Sequence, residues 1–67
     1  MITIQLNGAP RELPNNTTVR DLLEQLGVMA GPVAVELNRE IVPKTRFAET
    51  TLAGSDEVEI VTAVGGG

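Results

Sequence analysis

Residues 18–27, Thr18-Val19-Arg20-Asp21-Leu22-Leu23-Glu24-Gln25-Leu26-Gly27, carry a start, a stripe and a stop for one short amphipathic helix. Thr18 and Asp21 have the spacing of a capping box, with Asp in place of the usual Glu, where hydroxyl and carboxylate satisfy otherwise unpaired N–H groups of a first helical turn. Val19, Leu22, Leu23 and Leu26 fall at i, i+3, i+4 and i+7, a continuous apolar stripe, while Arg20, Asp21, Glu24 and Gln25 face water. Gly27 ends the helix as a left-handed residue. Such a stripe can seat a ligand, but its ordinary use is to pack on a core, and a single helix needs a sheet to cover.

The flanking residues supply that sheet. Upstream, Ile2, Ile4 and Leu6 alternate at period two, and Asn7-Gly8 provides the positive-φ pair of a tight hairpin turn. The return strand is Ala9 to Leu13; Pro10 and Pro14 suit an edge position, and Leu13 is its inward anchor. Downstream of Gly31-Pro32, Val33, Val35 and Leu37 alternate with Ala34, Glu36 and Asn38. A turn through Asn38-Arg39-Glu40 then leads into Ile41-Val42-Pro43, a second hairpin. Lys44 to Thr51 has no clear period and predicts a short helical turn or loop with Phe47 dipping into the core. Gly54-Ser55-Asp56 is a turn. The final strand runs from about Glu57 to Thr62, with Val58, Ile60 and Val64 on the inner face and Glu57, Glu59 and Val61 on the outer. One helix crossing one face of a mixed sheet buries the leucine stripe against these alternating aliphatics. The expected organisation is a single domain over residues 1–62 and a flexible Gly-rich tail over residues 63–67.

Composition narrows the chemistry. At 67 residues the chain is near the lower limit for a domain that folds alone, so its core must be well packed. It has no cysteine and no histidine, which removes disulfides, thiolate metal sites, thiol nucleophiles and the commonest general base. Nine acidic residues against five basic give a net charge of -4, which disfavours a nucleic-acid partner and suits a basic protein surface. Phe47 is the sole aromatic residue, so base-stacking platforms are excluded. No constellation supplies a nucleophile, a base and an orienting group, which argues against an enzyme acting alone, and no metal site is expected. Met1 to Leu6 alternates like a strand instead of showing a basic region and an apolar run, and no apolar stretch approaches a membrane span; a cytoplasmic protein with no membrane partner is expected.

The chain closes on Gly65-Gly66-Gly67. Without Cβ atoms such a tail can extend through a channel too narrow for other residues and present its terminal carboxylate to a partner enzyme. A frayed or linker-like end has the same composition, and the tail alone does not choose between them.

Element order, length and tail together resemble the ubiquitin-like β-grasp fold, an α+β architecture with a mixed four- to five-stranded sheet and one main α-helix packed on one face. Within it the chain resembles the ThiS family of small sulfur carriers over essentially its whole length. Glu40-Ile41-Val42-Pro43-Lys44 is similar to that family's E-I-V-P-R segment, Val58 to Gly67 follows its ending closely, and Asn7-Gly8 fits its first hairpin. Two turns depart from the pattern: Asn38-Arg39 stands where many relatives have Asn-Gly, and Gly54-Ser55-Asp56 replaces a more usual Asp-Gly-Asp.

The resemblance implies that Gly67 is the modified residue. A ThiF-like adenylating enzyme, using ATP and magnesium, would convert its carboxylate to an acyl adenylate. A persulfide donor such as a cysteine desulfurase would supply the sulfur that leaves a thiocarboxylate, and a ThiG-like thiazole synthase would accept it for thiamin biosynthesis. Gly65 and Gly66 would be access residues that let the tail thread into partner active sites, and the carrier itself would bind no cofactor. For partner docking the candidate is the outer sheet face near the tail, with Val42 and Val61 as exposed aliphatics beside Glu57 and Glu59, and with Val64 as a further docking residue, although acids there also make an ordinary solvated face. A MoaD-like carrier for molybdopterin synthesis, a protein modifier joined through Gly67 to lysines, and a non-covalent β-grasp interaction module are the alternatives.

Overall fold

The computed structural model describes residues 1–29 and 31–62. In chain order the elements are β1 (Ile2–Leu6), β2 (Ala9–Leu13), α1 (Val19–Leu26), β3 (Val33–Leu37), β4 (Glu40–Ile41), a 3-10 helix (Lys44–Glu49) and β5 (Glu57–Thr62). The strands form one mixed five-stranded sheet in the order β2-β1-β5-β3-β4. β5 is central, parallel to β1 and antiparallel to β3. This is the β-grasp arrangement with one main helix that the sequence predicts.

Both halves of the capping box form: the Asp21 N–H donates to Thr18 Oγ1 at 3.1 Å and the Thr18 N–H donates to Asp21 Oδ2 at 3.0 Å. The Thr18 N–H, and after it the Thr18 hydroxyl, hold the exposed Asp21 carboxyl below its usual pKa, because hydrogen bonds donated to the carboxylate favour the charged form. At the other end Gly27 takes φ 72 and its N–H closes on the Glu24 carbonyl at 3.1 Å. Val19, Leu22 and Leu23 are fully buried and Leu26 packs against the core at its margin, so the stripe faces the sheet. Burying each of these leucines contributes about 1.5–3 kcal/mol relative to exposure.

From the sheet, Ile4, Leu13, Val35 and Val58 meet the stripe, and Phe47 and Leu52 close the core from the segment after β4. Phe47 lies where the sequence puts it, on the 3-10 helix; Leu52 is an additional anchor on a residue without periodic context. Thr17 is the one buried polar side chain among the described residues, and it is satisfied by donating to the Pro14 carbonyl at 2.6 Å. Its own carbonyl accepts the Leu52 N–H at 2.8 Å, and the Val19 N–H donates to the Thr50 carbonyl at 2.9 Å. These bonds tie the helix start to the end of the 3-10 segment.

Pro10 lies on edge strand β2 opposite Gln5, one step beyond the Leu6–Ala9 pair that closes the hairpin. That register turns its nitrogen toward solvent, where a missing N–H costs no ladder bond. Arg11 points to the helix side of the same edge and its guanidinium donates to Gln25 Oε1 at 3.4 Å. An inward charge on an edge strand also discourages pairing with another chain.

The second hairpin differs from the expected turn. Its loop is only Asn38-Arg39, both left-handed at φ 51 and 71, and Glu40 belongs to β4 opposite Leu37. A two-residue loop of this hand matches the twist of the flanking strands. The consequence is one of parity: Ile41 pairs with Glu36 on the outer face, and Val42 turns inward.

Candidate functional site

The candidate site is built around β5, the last described element, because the glycine tail follows it. A central strand is the stiffest place from which to launch a tail, since both edges are hydrogen-bonded. Toward β3 the register runs from Leu37–Val58 to Val33–Thr62, and toward β1 it includes Gln5–Glu57 and Leu6–Val58.

Two turn asparagines reinforce the strand. Asn7, at φ 49 in the first hairpin turn, accepts the Ile60 N–H on Oδ1 at 2.8 Å and donates from Nδ2 to the Ile60 carbonyl at 3.3 Å. Asn38, at φ 51 in the second, accepts the Glu57 N–H on Oδ1 at 2.9 Å and donates to Asp56 Oδ1 at 3.1 Å. Each hairpin therefore spends its left-handed asparagine on the same strand, one from either flank. The sequence marks both residues as turn formers; their bonds to β5 join positions far apart in the chain and have no local signal.

The outer face of the sheet, opposite α1, carries the predicted Glu57, Glu59 and Val61. The register places Val61 beside Ala34, Glu59 beside Glu36, and Glu57 beside Gln5. Glu12, paired with Thr3, extends the acidic row to β2. Arg11 is the only basic residue in the five strands and it lies on the other face, so this surface is acidic without counterions of its own. Val61 is 64% exposed and Ile41 is 67% exposed. A shallow groove of about 280 Å³, lined by Pro32, Val33, Ala34 and Val61, runs beside the end of β5.

Val42 does not belong to this surface. It is half-buried and packed against the core, with its N–H donating to the Val35 carbonyl at 2.9 Å. Ile41 is the exposed aliphatic instead, and counting the second loop as two residues was the signal that would have found it. Val64, Gly65, Gly66 and Gly67, together with the division at residues 63–67, lie outside the described residues. Among the described residues, no cluster of acidic side chains has the arrangement of a metal site, and no helix is long and apolar enough to cross a membrane.

Comparison with known proteins agrees with this geometry. Residues 4–67 match the family model of the ThiS family. The chain is 42% identical over 65 residues to the sulfur carrier protein ThiS of Bacillus subtilis, covering 96% of this chain and 98% of that protein. It is 45% identical over 62 residues to a thiazole synthase of Paramagnetospirillum magneticum, covering 92% of this chain but spanning only 19% of the synthase. The crystal structure of a thiamine biosynthesis protein (ThiS) from Geobacter metallireducens superposes with a TM-score of 0.82 at 33% identity, covering 98% of this chain and 100% of that one.

Proposed function

The chain belongs to the ThiS family, and on that premise we propose that it is a sulfur carrier of thiamin biosynthesis whose Gly67 carboxylate holds the sulfur. The observation that carries the reading is the anchoring of β5: the strand is held on both flanks and reaches Thr62, five residues short of Gly67. A rigid launch point followed, after Ala63 and Val64, by three glycines without side chains suits a chain end that must enter more than one active site.

A carboxylate is a poor electrophile. In the proposed cycle a ThiF-like partner uses ATP and magnesium, the Gly67 carboxylate attacks the α-phosphorus, and pyrophosphate leaves an acyl adenylate. A persulfide sulfur, supplied by a donor such as a cysteine desulfurase, attacks the carbonyl carbon and expels AMP. Cleavage of the resulting acyl disulfide by a further thiol leaves the thiocarboxylate. The carrier needs no cysteine, because its own carboxyl carbon bears the sulfur, and it is acted on by enzymes in the cytoplasm without being one. A thiazole synthase of the ThiG type is the acceptor. Supporting that choice, the chain aligns with part of a thiazole synthase polypeptide, and segments joined in one chain commonly serve one process.

The docking surface in this reading is the outer sheet face, with Ile41 and Val61 as apolar contacts and Glu36, Glu57 and Glu59 steering a basic partner. Gly65 and Gly66 are access residues. Intact-protein mass spectrometry after incubation with ATP, the adenylating partner and a persulfide donor tests the proposal. Exchange of one oxygen for sulfur, localised by fragmentation to Gly67, is the expected result. Deletion of Gly67, or Gly66→Val, should leave the fold intact and abolish loading; normal loading of either variant would sink the assignment.

A further inference from the structure

Resting on the carrier reading above, we propose that Asn7 is a positioning residue for the terminal carboxylate, its side chain pinning β5 at Ile60 so that a fixed length of chain separates the pinned residue from Gly67. The main chain of β1 pairs with β5 through Gln5–Glu57 and Leu6–Val58 and no further, and the Asn7 N–H adds a last bond to the Val58 carbonyl at 2.9 Å. Asn7-Gly8 then turns away at φ 49 and 84. At that point the Asn7 carboxamide takes over, offering Ile60 one acceptor and one donor as a strand residue would. Because peptide groups alternate sides along a strand, those of Thr62 face the same flank as those of Ile60, one step past the clamp. Among the described residues, Ile60 is thus the last at which β5 is held on both sides.

The reach of the tail depends on where that hold ends. Five extended residues span at most about 17 Å, and freeing two more would add about 7 Å. A tail that docks from a fixed sheet face and delivers one carbon to a bound nucleotide is sensitive to such slack, since misplacement by about 1 Å can cost on the order of a hundredfold in rate. The turn itself does not need the carboxamide, because glycine adopts the same left-handed conformation without strain.

Asn7→Gly separates the two roles by keeping the turn and deleting the clamp. Asn7→Asp keeps the acceptor for the Ile60 N–H and loses the donor. Amide hydrogen exchange, with Leu23 as the control for global stability, should quicken at Ile60 by about tenfold or more in Asn7→Gly and by less in Asn7→Asp. With the adenylating partner, ATP–pyrophosphate exchange at saturating carrier should fall about tenfold in kcat for Asn7→Gly while KM for the carrier stays within about twofold. A merely structural role predicts the opposite split, because the carrier is the substrate and a smaller folded fraction raises apparent KM without lowering kcat. Unchanged Ile60 exchange, or faster exchange with unchanged kcat, overturns the proposal. If the unaltered carrier supports no pyrophosphate exchange, the carrier reading fails instead and the positioning role falls with it, while the amide measurement still reports on the clamp.

Discussion

Glu36 lies directly across from Glu59 in the antiparallel β3–β5 pair, both side chains exposed on the outer face of the sheet. Like charges directly opposite are destabilising, by a few tenths to about 1 kcal/mol. Two acids in that relation, on a face to which the strands contribute no base, suit a basic partner. Glu59→Lys should therefore raise the thermal midpoint slightly while slowing association with the adenylating partner about tenfold at low salt. Stopped-flow association across a salt series checks it, and an unchanged on-rate would remove Glu59 from the docking surface.

Arg39 holds φ 71 in a turn where glycine would carry no strain. A left-handed conformation costs an ordinary residue about 1–2 kcal/mol, and the greater unfolded-state freedom of glycine returns about 0.5–1 kcal/mol of that. Arg39→Gly should stabilise the fold by about 0.5–1 kcal/mol. Ser55, at φ 71 beside a Gly54 that does not use its freedom, should respond in the same direction to Ser55→Gly. Urea denaturation should show higher midpoints at an unchanged m-value.

The capping box links stability to pH. Asp21 has a folded-state pKa below the ordinary carboxylate value, so its contribution is present in full above the unfolded value and is lost as pH falls through the lower folded value. An acid titration of Asp21→Asn should accordingly have a flatter limb below about pH 4 than the parent protein. Thr18→Ala should cost about 0.5–2 kcal/mol at neutral pH by removing the oxygen that accepts the Asp21 N–H.

Leu23 is fully buried between α1 and the sheet. Leu23→Ala should cost about 2–5 kcal/mol, a large fraction of a small domain's stability. Chemical denaturation measures it, and a loss below about 1 kcal/mol would mean that the site collapses around the cavity.

Local chemistry made most of this architecture legible in the sequence. The 3.6-residue stripe, the capping box, the Asn-Gly turn and the alternating aliphatics each depend on residues a few positions apart, and among the described residues they formed as expected. Phe47 was legible because a sole aromatic residue in a small domain has few places to go. Tertiary structure decided what depends on residues distant in sequence: the central place of β5, the burial of Leu52, the acid-on-acid pairing of Glu36 with Glu59, and the clamping of β5 by Asn7 and Asn38. It also exchanged Val42 for Ile41 on the outer face, because strand side chains alternate and one residue more or less in a turn inverts every position after it. Periodicity reports which residues share a face; only the paired register of the folded sheet reports which face that is and who stands opposite.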